Sequence, residues 1–154
     1  MIWMLPSNAR VAATAETARE WARLRTKMRL DALHEKIRAW AGVQSFALSV
    51  DYGDRALHLE ILIIDEKCQN TGIGTRVMKE VETFADKHQR QVMLYPAHKD
   101  EWGPIRKIQH ARLVRFYQRF GFARNTRRAI SKTALPGMMI RLPNPKAPKA
   151  RSTT

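Results

Sequence analysis

The run Asp65-Glu66-Lys67-Cys68-Gln69-Asn70-Thr71-Gly72-Ile73-Gly74-Thr75 has the make-up of a site for a phosphate ester. It follows the apolar stretch Leu57-His58-Leu59-Glu60-Ile61-Leu62-Ile63-Ile64 and leads straight into a segment where Ile73, Val77, Val81 and Phe84 recur at helical spacing. A strand that closes in a glycine-containing turn and opens a helix leaves several backbone N–H groups unpaired and pointing outward. The helix dipole adds roughly half a positive charge at the same place. Gly72 and Gly74 carry no side chain to hold a pyrophosphate off the backbone. The spacing is not the dinucleotide fingerprint G-x-G-x-x-G, and no Gly-Lys-Ser/Thr follows to make a Walker loop. Taken alone, a G-x-G pair is more often simply a helix start built from small residues.

Two polar residues interrupt the apolar stretch. An acid in such a strand is costly to bury unless it is paired or used, which makes Glu60 a candidate general base. Strand alternation puts His58, Glu60, Leu62 and Ile64 on one face, so His58 is a rival for the same role. The bland alternative is a Glu60 that faces solvent or pairs with an arginine. Cys68, the one cysteine, cannot form an internal disulfide and has no histidine constellation around it. The histidines at 34, 58, 88, 98 and 110 show no metal-ligand spacing, so no metal is expected.

The elements that must position these residues follow from periodicity. Residues 8–41 read as helix with two apolar stripes out of phase, Trp21–Leu24–Met28 and Leu30–Leu33–Ile37–Trp40. That predicts two helices or a kink near Met28–Asp31, with Gly42 ending the second. Gln44–Asp51 is strand-like, Tyr52-Gly53-Asp54 suits a hairpin turn, and Leu57–Ile64 reads as a central strand covered on both sides. Helix 71–87, a short strand Gln91–Tyr95 closed by Pro96, and a helix with Ile105, Ile108, Leu113, Phe116 and Phe120 on its stripe come next. Gly121 stops that helix, and Phe122–Arg124 and Met138–Leu142 look like two last strands around a basic loop. The expected fold is mixed α/β, one domain over residues 1–142, with a Pro/Lys-rich tail over 143–154 too poor in apolar residues to pack.

In that setting the residues resemble a family. Gln69-x-x-Gly72-x-Gly74 is similar to the Q/R-x-x-G-x-G/A signature of the GNAT superfamily of N-acetyltransferases, which holds the pyrophosphate of acetyl-CoA. Leu113-Val114-Arg115-Phe116-Tyr117-Gln118-Arg119-Phe120-Gly121-Phe122 resembles the family's second signature, a helix ending in [LF]-Y-x-[KR]-x-G-F. The resemblance covers residues 57–122 well and is plausible to Leu142; Asn70 stands where the family often has glycine. It implies a mostly antiparallel mixed sheet with a central strand-helix-strand core for acetyl-CoA, which is the co-substrate. It implies pyrophosphate on the backbone of Gln69, Asn70, Thr71, Gly72, Ile73, Gly74 and Thr75, and a pantetheine arm paired with Leu62, Ile63 and Ile64 at a splay in the sheet. His110 occupies the place of a helical Asn at the cofactor site. Tyr117 takes the place of the acid that protonates the leaving thiolate, its phenol near the ordinary ~10 being close to a thiol's ~8.5. The loop His98–Trp102 lies where acceptors often bind in the family.

Charge narrows the partners. Of 28 Lys/Arg, 15 lie in residues 1–103 together with all 14 Asp/Glu; residues 104–154 hold 13 Lys/Arg and no acid. Such a one-sign half attracts polyanions, and the bland alternative is a solubilising face. The resemblance implies an amine acceptor, on a small molecule, a protein or an RNA, and the charge adds polyanion docking on 104–154 as an expectation. A nucleic-acid-directed enzyme and a non-catalytic acetyl-CoA-binding or nucleic-acid-binding module are the alternatives to a plain N-acetyltransferase. No apolar run approaches the ~20 residues that span a bilayer, no signal-peptide pattern opens the chain, and a cytoplasmic monomer or homodimer is expected.

Overall fold

Strands with opposite faces in two different clusters organise the molecule. In the structure, a computed structural model, residues 7–50, 56–96, 105–125 and 137–147 are described, with side chains from residue 14 in the first segment and from 110 in the third. The elements run α1 (Ser7–Arg38), β1 (Val43–Val50), β2 (Ala56–Ile64), α2 (Ile73–Lys87), β3 (Gln91–Leu94), α3 (Ile105–Gln118), β4 (Ala123–Arg124) and β5 (Met139–Arg141). The sheet order is β1-β2-β3-β5-β4, antiparallel everywhere except β2 with β3, which run parallel because the chain crosses over between them through α2. This is the mixed, mostly antiparallel α/β architecture expected from the sequence.

Leu57 and Leu59 of β2, Val92 and Leu94 of β3 and Met139 of β5 join one large buried cluster, while the alternate residues Ala56, Met93 and Ile140 join a small one. The large cluster also takes in Leu30, Leu33 and Ile37 of α1, Val77, Met78, Val81 and Ala85 of α2, and Val114 and Tyr117 of α3. Buried Arg141 ties these layers together: it makes two hydrogen bonds to Asp86 (2.8 and 2.9 Å), one to Glu82 (3.0 Å) and one to the Phe120 carbonyl (2.9 Å).

Three expectations are corrected. The kink near Met28–Asp31 is absent, since α1 is continuous and ends at Arg38, short of Gly42. Its two stripes are out of phase because only the second is in the core; Trp21, Leu24 and Met28 are 59%, 46% and 70% exposed. The second half of β2 is not covered on both sides, with Ile61 exposed. Along α3 and the turn after it the buried line is Val114–Tyr117–Phe120, with Leu113 and Phe116 only partly buried beside it, so Tyr117 lies inside the apolar face where the predicted stripe had Leu113 and Phe116.

Helix ends follow the expected chemistry. Gly121, at positive φ, closes α3 with Phe122 N–H bonded to the Tyr117 carbonyl and Gly121 N–H to that of Gln118. The chain beyond β5 is held by Asn144, whose N–H donates to Asp86 and whose carbonyl accepts from the Gln89 side chain. The expected hairpin turn at Tyr52-Gly53-Asp54, the loop His98–Trp102 and residues 148–154 lie outside the described residues. Among the described residues no helix is long and apolar enough to cross a membrane.

Candidate active site

Two openings meet at the end of β2. The first is in the sheet. β2 pairs with β3 only from Ala56↔Gln91 to Leu59↔Leu94, so among the described residues Glu60–Ile64 continue without a partner on that side, while Ile61–Ile64 stay paired to β1 on the other. Five residues of backbone are left with an open edge among the described residues, beyond the last β2–β3 pair. An extended chain carrying amides can pair with such an edge as another strand does.

The second opening is the start of α2. Asp65 is fixed by its N–H to the Gly42 carbonyl (2.8 Å), and its side chain caps a single 3-10 turn, Glu66–Cys68. Asn70 (φ 61) and Gly72 (φ 86) then turn the chain through left-handed conformations, and the Thr71 hydroxyl donates to the Cys68 carbonyl. Gly72 is the N-cap of α2 and offers no side-chain bond; the first helical bond is Arg76 N–H to Gly72. Among the described residues no acceptor takes the N–H groups of Gly72, Ile73, Gly74 or Thr75. Among the described residues nothing lies within 4 Å of the place a Cβ on Gly72 would occupy. A bare helix start with free amides and an empty approach fits a pyrophosphate. Gly74 plays a different part: a Cβ there would touch Phe116 at 3.4 Å, so this glycine seats α3 against α2. Gln69 donates to the Ile64 carbonyl at 3.5 Å and so joins the loop to the open end of β2.

Glu60 stands at a defect in the strand. Ala47 pairs with Ile61 while Leu48 pairs with Leu59, which makes Glu60 the extra residue of a β-bulge. The bulge corrects the simple alternation: Leu62 comes round to the core face with Leu57 and Leu59, away from His58. Glu60 itself is half-exposed, accepts from the Ser49 hydroxyl at 2.9 Å and lies 4.0 Å from His58 Nδ1. His58 Nε2 is buried and has no partner among the described residues. A carboxylate held by a hydroxyl, beside an imidazole and next to an open strand edge, can take a proton from a bound amine.

Tyr117 is 7% exposed and packs edge-on against Phe116 (5.3 Å) and Phe122 (5.8 Å). Burial pushes its phenol up to about 12, above the ordinary value expected from the sequence. Among the described residues no hydrogen bond holds its hydroxyl. Through Phe116 it stands one ring away from Gly74. His110 Nδ1 donates to the Pro96 carbonyl at 3.0 Å, which fastens α3 to the end of β3.

Two supporting residues escape sequence reasoning. Gly42 (φ 90) is not a helix stop; a Cβ there would meet Ile73 Cδ1 at 2.7 Å and Cys68 Cβ at 2.9 Å, so the loop rests on it. Cys68 is accordingly a packing contact. Arg76 lies over the Trp40 ring at 4.0 Å and steadies the first turn of α2. Only the pairing of a helix-end Gly with a Trp two residues earlier hinted at this support. Among the described residues no cluster of His, Cys, Asp and Glu could hold a metal ion.

Comparison with known proteins agrees with this geometry. The family model of the acetyltransferase (GNAT) domain matches residues 32–124, from the last turns of α1 through β4. No curated protein matches the chain.

Proposed function

The chain belongs to the GNAT acetyltransferase family, and on that footing we propose that it is an N-acetyltransferase that uses acetyl-CoA and an amine acceptor. The observation that carries the proposal is the meeting of the open edge of β2 with the uncapped start of α2. Acetyl-CoA supplies an acyl thioester whose carbonyl an amine can attack. The amides of Gly72–Thr75 would hold its pyrophosphate, with Gln69, Asn70 and Thr71 shaping the loop, and Glu60–Ile64 would pair with its pantetheine amides. Fixing the thioester between two rigid elements removes much of the entropy of alignment from the barrier.

Glu60 takes the proton from the attacking amine. The Ser49 hydroxyl steadies one of its oxygens and His58 adds a second polar neighbour, while exposure of the carboxylate keeps it reachable. Tyr117 keeps its proton at every ordinary pH. A phenol at about 12 is a weaker acid than a thiol near ~8.5, so its burial supports a hydrogen bond to the sulfur as charge develops more than full proton delivery. The acid role expected from the sequence requires bound substrate to lower that value.

The test is direct. Incubation of the protein with radiolabelled acetyl-CoA and fractionated cell extract should transfer label to an amine acceptor. Label that stays on coenzyme A in every fraction, while acetyl-CoA still binds, would make the chain a binding module instead of an enzyme.

A further inference from the structure

The two halves of α1 are built for different neighbours. In the second half Leu30, Leu33 and Ile37 are buried in the core. There Arg38 Nε donates to the Phe46 carbonyl at 3.0 Å, and His34 Nε2 accepts from the Leu48 N–H at 2.9 Å. These contacts pin the helix to β1 and fix the direction in which its first half projects. In that half every residue from Thr14 to Arg25 is exposed, and Trp21, Leu24 and Met28 form an apolar stripe with nothing over it among the described residues. Helices draw most of their stability from packing of such a face. At about 100° per residue the stripe points roughly 180° away from the core stripe. Its spacing of three and four, continued by Thr17 and Thr14, is the narrow seam of a helix pair.

We infer that this stripe is the contact of a homodimer in which the first halves of α1 from two copies pack antiparallel. Because the core stripe faces the other way, the body of each copy stays clear of the other. Trp21 then falls beside the partner's Leu24, and Leu24 beside the partner's Trp21, so a large side chain meets a smaller one in both central layers. Met28 falls beside the partner's Thr17. At the flank of the stripe Glu20 reaches the partner's Lys27, and the two-fold axis repeats that pair. Neither residue has an ion-pair partner of its own among the described residues. Parallel packing would lay the basic run Arg23, Arg25, Lys27 and Arg29 against its own copy and align the two helix dipoles. An anionic lipid surface would repel Glu16 and Glu20, and it calls for a broader apolar face than three residues provide.

Analytical ultracentrifugation of the full chain at about 0.15 M salt, where charges more than ~8 Å apart are screened, tests this. The native protein should sediment at twice the chain's 17.8 kDa. Leu24→Glu/Met28→Glu, at exposed positions, should sediment as a single chain with the amide signals of the sheet in place. Glu20→Lys and Lys27→Glu should each weaken association by roughly tenfold, although the second lowers the net charge. The double variant Glu20→Lys/Lys27→Glu should return it to within about threefold of native, which neither a parallel pair nor a cover from the same chain would do. A single-chain mass for the native protein at about 100 μM would overturn the inference. So would a dimer that persists in Leu24→Glu/Met28→Glu, since its contact lies elsewhere. Weakening by both single reversals without recovery in the double variant would refute the antiparallel pairing. A native single chain that co-sediments with vesicles of equimolar phosphatidylcholine and phosphatidylserine would give the stripe to a membrane and end the proposal.

Discussion

Tyr117 and Glu60 mark the two ends of what a single residue can do here. Tyr117→Phe should leave acetyl-CoA affinity within a small factor and lower turnover by roughly 10²–10⁴-fold, read from steady-state kinetics. Normal turnover would make the phenol a packing group. Its stability signature has a definite sign. The folded phenol lies above its unfolded value of 10.0, at about 12, so its contribution is intact below pH ~10 and is lost as pH climbs toward ~12. Chemical denaturation across that window should show the native protein losing up to about 3 kcal/mol that Tyr117→Phe does not lose. For Glu60→Gln, transfer should slow mainly below the acceptor's pKa, where a proton must leave the amine; an effect that is flat with pH would point to positioning or to His58. At this scale the sequence was most legible where chemistry is local. The strand-to-helix junction was readable in the run that contains Gly72, which caps α2 at a positive φ, and Gln69, whose side chain reaches back to the Ile64 carbonyl. The bulge at Glu60 was not legible, because it arises from register with β1, a long-range pairing that no run of residues in β2 encodes. The rise of the Tyr117 phenol was hidden for the same reason, since Phe122 and the core around it close only in the fold.

Elements are joined by a few polar contacts whose removal should be felt across the sheet. Arg141 is the one buried charged residue among those described, and its hydrogen bonds hold the Asp86 carboxyl below the usual carboxylate range against the opposing effect of burial. Arg141→Ala should cost about 3–5 kcal/mol at neutral pH, because Asp86 and Glu82 lose their partner. The depressed Asp86 contributes stability above its unfolded value near ~4 and loses it as pH falls through the folded one, so the gap between native and variant should narrow in acid. Urea unfolding at neutral pH and near pH ~3 reads both; an equal gap at the two values would mean that packing, not charge, holds β5. The strands and helices themselves were legible from periodicity to within a few residues. The single long α1 was not. Its first stripe, Trp21, Leu24 and Met28, is spaced as a core stripe should be, yet it extends past the sheet that would have covered it. Periodicity reports that a face is apolar and cannot report where the sheet ends.

The whole molecule carries a net charge of +14, with every acid confined to residues 1–103. Self-repulsion of that size destabilises the compact state, and dissolved salt screens it. The melting temperature should therefore rise by roughly 2–6 °C between about 20 mM and about 300 mM sodium chloride, measured by circular dichroism. A flat or falling response would mean that the charges are already balanced by pairing. The asymmetry was plain in composition, but its use was not, because whether arginines gather on one face depends on how α3 lies against α2.

The central claim is that the open edge of β2 and the bare start of α2 form one coenzyme A site. Backbone amide spectra of the isotope-labelled protein, recorded during titration with coenzyme A, test it most directly. The largest and saturable shifts should fall on Gly72, Ile73, Gly74 and Thr75 and on Glu60–Ile64, and Gly72→Val should abolish them while the remaining spectrum stays folded. Saturable shifts clustered elsewhere, or unchanged coenzyme A affinity in Gly72→Val, would contradict the account.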